Sequence, residues 1–312
     1  MIIIARVKKP LPAVLGLAWS FSVFLFVYLI SRPGDAAAAV VDSLGVCASK
    51  LIPSLFPFMV LTNLICSTGL ADIISRVIGG AFARATGIPA SGAPVFLLGS
   101  LGGFPVGAVA ARRLADNCEL SKNDAARLIA FSNNAGLAFC VGGIGSLFGS
   151  SAVGWKLWAI QLGAAILIAL ISADRGKKAA AKPLSRQKST LSAGEILGAF
   201  ADSVTSAALA MLKICAFAVF FGTLGDVICL ILPDFPACIA ASFCELTLAA
   251  RLSAALGDAG LPICAFALGF SGLSVHSQVA AVLADSGISM RRFFVSKLAQ
   301  GLISALITCI LC

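Results

Sequence analysis

Hydrophobic residues run along this chain in long blocks, the most extended at 11–31, 51–70, 152–173, 203–232 and 296–312. Each block is near the roughly 20 residues that carry a helix across about 30 Å of hydrocarbon, so each predicts a membrane helix. Other apolar stretches are too short or too broken for a simple span. Pro53 and Pro57 interrupt the second block, and PASGAPVFLLGSLGGFPVGA (89–108) crowds proline and glycine into a segment otherwise apolar enough for the bilayer. FSNNAG (131–136) sets two amides side by side, and CELT places Glu245 and Thr247 inside an apolar stretch. Unwound backbone at membrane depth is tolerated only where protein buries it or where it lines a wet cavity. The pattern predicts an all-α polytopic membrane protein with broken helices, two of the breaks falling near 98–110 and 267–279.

Composition agrees with that pattern. At 59% hydrophobic, 12% charged and a mean hydropathy of +1.01, the chain has too little polar surface to cover a soluble globule of 312 residues. The net charge of +9 is placed as cytoplasmic-loop charge is placed: Arg6, Lys8 and Lys9 precede the first block and six basic residues lie in 175–188. No nucleic acid is expected as a partner; the lipid bilayer is. The 11–31 block is long and runs on into the helix-like SRPGDAAAAV, which reads as an anchor that stays in the membrane. Eleven cysteines are scattered, mostly inside apolar runs, as small core residues would be. With one histidine in the chain, neither a metal nor a cofactor is expected.

The polar, basic segment DRGKKAAAKPLSRQKST (174–190) separates two hydrophobic halves that overlay on each other. KLIPSLFPFMVLTNLI, from Lys50, matches KICAFAVFFGTLGDVI, from Lys213, and sets Asn63 on Asp226. GGFPVGAVAARRLAD (102–116) matches SGLSVHSQVAAVLAD (271–285) in the same order. The expected organisation is an anchor at 1–35, a first membrane repeat with a connecting span at 36–173, a basic cytoplasmic linker at 174–190 and a second repeat at 191–312. One crossing by the anchor starts the two copies on opposite sides of the membrane, so the repeats are inverted. Inverted repeats with matching breaks point to a secondary transporter whose site lies where the breaks meet.

The candidate substrate-contacting residues follow from those breaks: Ser100, Gly102 and Gly103 in the first hairpin, Asn133 and Asn134 beyond it, Lys213, Glu245 and Thr247, and Ser274, His276, Ser277 and Gln278 in the second hairpin. Polar clusters in lipid are expensive and tend to mark a pathway. Lys213 and Lys50 are either snorkelling anchors or cations facing an anion or Glu245. Glu245 is either a proton or sodium coupling group or a structural partner, and Asn63 and Asp226 either line the cavity or make surface contacts. The arginines Arg112, Arg113, Arg291 and Arg292 read as interfacial anchors. The Gly-x-Ser-Gly string ending at Gly272 raises a hydrolase reading, with Ser271 as nucleophile and His276 as base. Five positions apart on one broken element, the pair has little freedom to meet squarely, and no enzyme is expected. GGIGSLFG (142–149) lacks the Lys-Ser/Thr of a phosphate loop.

LFPFMVLTNLI, LGSLGGFPVGAVAARRL, LSKNDAARLIAFSNN, ELT and GLSVHSQ occur in an order that resembles the YlbJ family of sporulation integral membrane proteins. That family falls within the nucleoside-recognition or Gate group, related to concentrative nucleoside transporters. The resemblance runs from about residue 36 to 305. It implies inverted repeats with re-entrant hairpins and, for the sporulation members, movement of dipicolinic acid across the outer forespore membrane. The expected cargo is therefore a small anionic solute, dipicolinate by resemblance, moved with or without a coupling ion. A nucleoside or another small solute fits the same polar groups, a non-transporting scaffold is the alternative from another class, and a homo-oligomer stays open.

Overall fold

The structure is a computed structural model, and it describes residues 12–174 and 192–311. Arg6, Lys8, Lys9 and the basic linker beyond Asp174 lie outside the described residues. Among the described residues every regular element is helical.

The first half opens with α1 (Pro12–Ser31) and α2 (Pro33–Val46), which a π-helical turn at Cys47–Leu51 joins to α3 (Ile52–Ser67). Pro33 sits at the first position of α2, where its missing N–H costs nothing. There follow α4 (Leu70–Thr86), α5 (Gly92–Gly102), α6 (Val106–Asp116) and α7 (Lys122–Ser132). A second π-helical turn at Phe139–Ile144 leads into the short α8 (Gly145–Leu147), and α9 (Ser151–Ile171) completes the half. The second half contains α10 (Ala193–Ile231), α11 (Asp234–Cys244), α12 (Leu246–Ala255), α13 (Leu261–Phe270), α14 (Gly272–Leu283) and α15 (Met290–Leu311). A capping box starts α10: the Glu195 backbone N–H donates to Ser192 Oγ at 3.3 Å and the Ser192 N–H to the Glu195 carboxylate at 2.7 Å.

Among the described residues, five helical stretches are long and apolar enough to cross a membrane: Pro33–Ser67, Ser151–Ile171, Ala193–Ile231, Gly257–Leu283 and Met290–Leu311. Four contain the hydrophobic blocks from 51 onward, and the block at 11–31 forms α1. The structure lengthens two of them. The block at 51–70 is the C-terminal part of a 35-residue run bent at its π-helical turn, and the block at 203–232 belongs to a 39-residue helix. At 1.5 Å per residue that helix is about 58 Å long, well beyond the hydrocarbon thickness.

Elements of the two halves pack on each other. The α2–α3 run lies along α10, α6 meets α14, and α7 lies along α15. The closest helix pair, α13 with α15, depends on small residues: a Cβ placed on Gly269 would stand 2.6 Å from the Gly301 Cα. Close backbone approach of this kind supplies the van der Waals contact that substitutes for hydrophobic driving force in a bilayer. Polar ties secure the ends of these helices. Arg127, 3% exposed, pairs with Asp124 at 3.1 Å and donates to the carbonyls of Ser172 and Thr86, which joins α7 to the ends of α4 and α9.

Candidate functional site

The helices are interrupted at four places inside apolar sequence. The first is Gly103–Pro105, between α5 and α6, where Gly103 has φ +89°. The second is Asn133–Gly136, which follows α7 and is not helical. The third is Glu245, whose extended backbone separates α11 from α12. The fourth is Ser271, where consecutive positive φ values of 77° and 68° at Ser271 and Gly272 part α13 from α14.

These breaks differ in shape from the expectation in one respect. The segment at 98–110 does turn back, with α5 packed on α6, but α13 and α14 diverge: α13 packs on α15 and α14 on α10. The second pair of helices that fold against each other is α11 and α12, with Glu245 at their turn. Thus 267–279 is a broken helix, not a hairpin, because two successive left-handed residues redirect the chain without bringing it back.

Three of the four breaks border one partly open cavity, which α14 lines from beyond the fourth. Phe104 reaches it from the first, Gly136 from the second, Glu245, Leu246 and Thr247 from the third, and Ser274, Val275 and Gln278 from beyond the fourth. Ile214 and Ala218 of α10 close one wall. At the third break the Glu245 carboxylate caps α12, accepting the Leu248 N–H at 2.8 Å and the Thr247 hydroxyl. It is 5% exposed and also borders a second space lined by Asp42, Asp226 and Arg251. Arg251 and Asp42 form an ion pair there. Glu245 and Thr247 therefore separate an inner apolar cavity from an outer charged one.

Beneath the second break lies a buried polar network. Asn134 Nδ2 donates to Ser100 Oγ at 3.3 Å and to the Phe131 carbonyl at 2.8 Å, while its Oδ1 accepts from Gln300 Nε2 at 2.9 Å and Lys297 Nζ at 3.3 Å. Lys297 also donates to the Asn133 carbonyl at 2.9 Å and to Gln300 Oε1 at 2.8 Å. Gln161 of α9 takes both backbone groups of Ala135, donating to its carbonyl at 3.0 Å and accepting its N–H at 3.2 Å. Those bonds replace the helical ones that unwinding removes, which is why a break can persist away from water.

The structure brings most of the candidate residues toward the cavity or this network. Ser100, Asn133 and Asn134 belong to the network; Gly102 and Gly103 stand at the first break, where a Cβ on Gly103 would meet the Gly136 amide nitrogen at 3.0 Å. Glu245, Thr247, Ser274 and Gln278 line the cavity. Ser277 lies half-buried on the same helix and is outside the lining. Lys213 is exposed on α10, on the face turned away from the buried Met211, Ile214 and Ala218. His276 is turned into an aromatic nest: its ring centroid is 4.7 Å from Phe270, 4.9 Å from Phe293 and 5.4 Å from Phe294, and Nδ1 lies 2.8 Å from the Gly272 carbonyl. Ser271 Oγ donates to the Leu268 carbonyl at 3.4 Å, so serine and histidine each bond to their own backbone rather than to each other.

Lys50 donates to Ser146 at 2.8 Å, and Asn63 to the Ser203 carbonyl at 3.4 Å, which ties α3 to α10. Asp226 faces the outer space, so the matched pair Asn63 and Asp226 does not share one cavity. Arg112 bonds to the Val282 carbonyl and pairs with Asp116 at 3.3 Å, and Arg292 donates to Asn123 at 3.0 Å. Among the described residues no group of three or more metal-ligating side chains gathers.

The residues that sequence reading missed are Lys297, Gln300 and Gln161. One signal was present for the first two: Lys297, Gln300, Ser304 and Thr308 recur at helical spacing and form the buried stripe of α15. A polar stripe within an apolar helix is a mark of an inward face.

Taken together, the apolar helices and the buried polar breaks define an all-α, multi-pass integral membrane protein. The chain is similar to the sporulation integral membrane protein YlbJ of Bacillus subtilis (strain 168), with 26% identity over 336 aligned residues that cover 94% of this chain and 81% of that protein. That likeness bears out the family resemblance carried by the motifs. No protein-family model matches the chain, and no solved structure matches it.

Proposed function

We propose that this protein is a secondary-type transporter of a small carboxylate, with dipicolinic acid moved during sporulation as the favoured cargo and the outer forespore membrane as its place. One observation carries the reading: three separate interruptions of otherwise apolar helices, two in the first half and one in the second, line a single cavity together with α14. Packing alone gives no reason for unwound segments from both halves to converge, since each break costs backbone hydrogen bonds that lipid cannot replace. The name of the Bacillus relative supports the sporulation setting, and the family resemblance supports the cargo.

In this mechanism a solute enters between Glu245 and Thr247 from the outer charged space and is held between the first and fourth breaks. Rocking of the α5–α6 pair against α13 and α14 then opens the cavity to the other side. Free amides and hydroxyls at the breaks suit a carboxylate.

Counterflow tests the reading. Labelled dipicolinate should accumulate in proteoliposomes preloaded with unlabelled dipicolinate and not in protein-free vesicles. Accumulation of labelled uridine in place of dipicolinate would transfer the fold to a nucleoside cargo, and exchange of neither by folded protein would favour a scaffold.

A further inference from the structure

We propose that Lys297 is the cation that receives the carboxylate of the cargo, an inference that rests on the transporter reading and deepens it. Lys297 is fully buried, and its three N–H groups are met by the Asn133 carbonyl, Asn134 Oδ1 and Gln300 Oε1. All three acceptors are neutral. Among the described residues no carboxylate pairs with Lys297; the ion pairs shown there join Arg32 to Asp35, Arg112 to Asp116, Arg127 to Asp124 and Arg251 to Asp42. Its N–H groups meet only neutral acceptors, an arrangement costly for the charged amine in a low-dielectric interior unless an anion can come to it.

Two further observations place that anion. Asn133 is 0% exposed, yet neither Nδ2 nor Oδ1 of its side chain has a hydrogen-bond partner, although its own carbonyl is bound to Lys297. The unpartnered amide of Asn133, the residue whose carbonyl Lys297 holds, and the Lys297 amine are two donors fit for one carboxylate. The Phe104 ring has the Lys297 Nζ 5.8 Å from its centroid and also lines the inner cavity. Phe104 is thus the partition between cavity and charge: with the site empty its π face partly offsets the cation, and displacement of the ring admits the carboxylate. A dicarboxylate would leave its second acid group in the cavity, near the Ser274 and Gln278 side chains, where Gln278 Oε1 also lacks a partner.

The test is binding to the full-length protein in nanodiscs, with dipicolinate as the charged probe, pyridine-2,6-dicarboxamide as its neutral isostere and inorganic phosphate as a generic anion. Wild type should bind dipicolinate saturably and prefer it to the other two. Lys297→Gln should weaken that binding about tenfold or more, whereas Lys297→Arg retains most of it and the exposed Lys213→Gln changes nothing. A second readout needs no variant: reductive methylation of wild-type protein, followed by mass spectrometry, should modify Lys297 slowly, and saturating dipicolinate should block it without affecting Lys213. Equal binding by Lys297→Gln and wild type would overturn the assignment and leave the carboxylate carrier standing. So would methylation of Lys297 that dipicolinate does not protect. Wild-type binding of the neutral diamide, with none of dipicolinate, would overturn both the assignment and the carboxylate reading.

Discussion

Single residues in this protein carry unequal burdens, and burial sorts them. Arg127 has its guanidinium spent on Asp124 and two carbonyls at 3% exposure, so its loss strands several acceptors. Arg127→Met is expected to cost about 3 kcal/mol or more in unfolding free energy, read from denaturant unfolding in detergent. Glu245 has two tasks that substitution separates. Its cap on α12 needs only an acceptor, so Glu245→Gln should keep the melting temperature within a few degrees, whereas Glu245→Ala should lose about 1 kcal/mol. Transport should fall in both if the carboxylate also guards the passage between the two spaces. His276, packed among three phenylalanines and outside the cavity lining, should tolerate Phe with folding intact and counterflow within about twofold of wild type. Loss of counterflow in folded His276→Phe would return the histidine to the site. Asn133 and Asn134 were legible from sequence, because adjacent amides in an apolar run have few other uses. Lys297 was not: at the edge of the last hydrophobic block it looks like a snorkelling anchor, and two of its three acceptors come from residues 163 and 164 positions away.

At the scale of elements, the apolar blocks foretold the long helices because length and hydropathy decide what crosses a bilayer. They did not foretell Gly257–Leu283, whose glycine, serine, histidine and glutamine dilute the hydropathy of a run that the protein interior, not lipid, surrounds. Nor could they tell a hairpin from a broken helix. That choice is made by backbone dihedrals at Ser271 and Gly272 and by the partners of each arm, α15 for one and α10 for the other. Close approach makes the α13–α15 pair sensitive to volume. Gly269→Leu should prevent recovery of folded, monodisperse protein, since even a Cβ there meets the Gly301 backbone, while Gly142→Ala, with open space at that position, should leave yield and melting temperature unchanged. Equal behaviour of the two variants in gel filtration would show that this helix contact is looser than the structure has it.

The whole molecule brings helices of its two halves side by side and gathers three breaks and α14 around one cavity. The sequence repeat suggested that meeting point, but which side chains would share it depended on helix rotation, which put His276 in an aromatic nest, Lys213 on the outside and Lys297 inside. The most direct measurement is two-sided access to the cavity. A single cysteine introduced at Ser274, in a background without the native cysteines, would be exposed to a membrane-impermeant thiol reagent applied to one face or the other of oriented vesicles. The account predicts labelling from each face in turn and protection from both by saturating dipicolinate. Labelling from neither face, or from one face only under every condition, would contradict a carrier and leave the four breaks as packing devices.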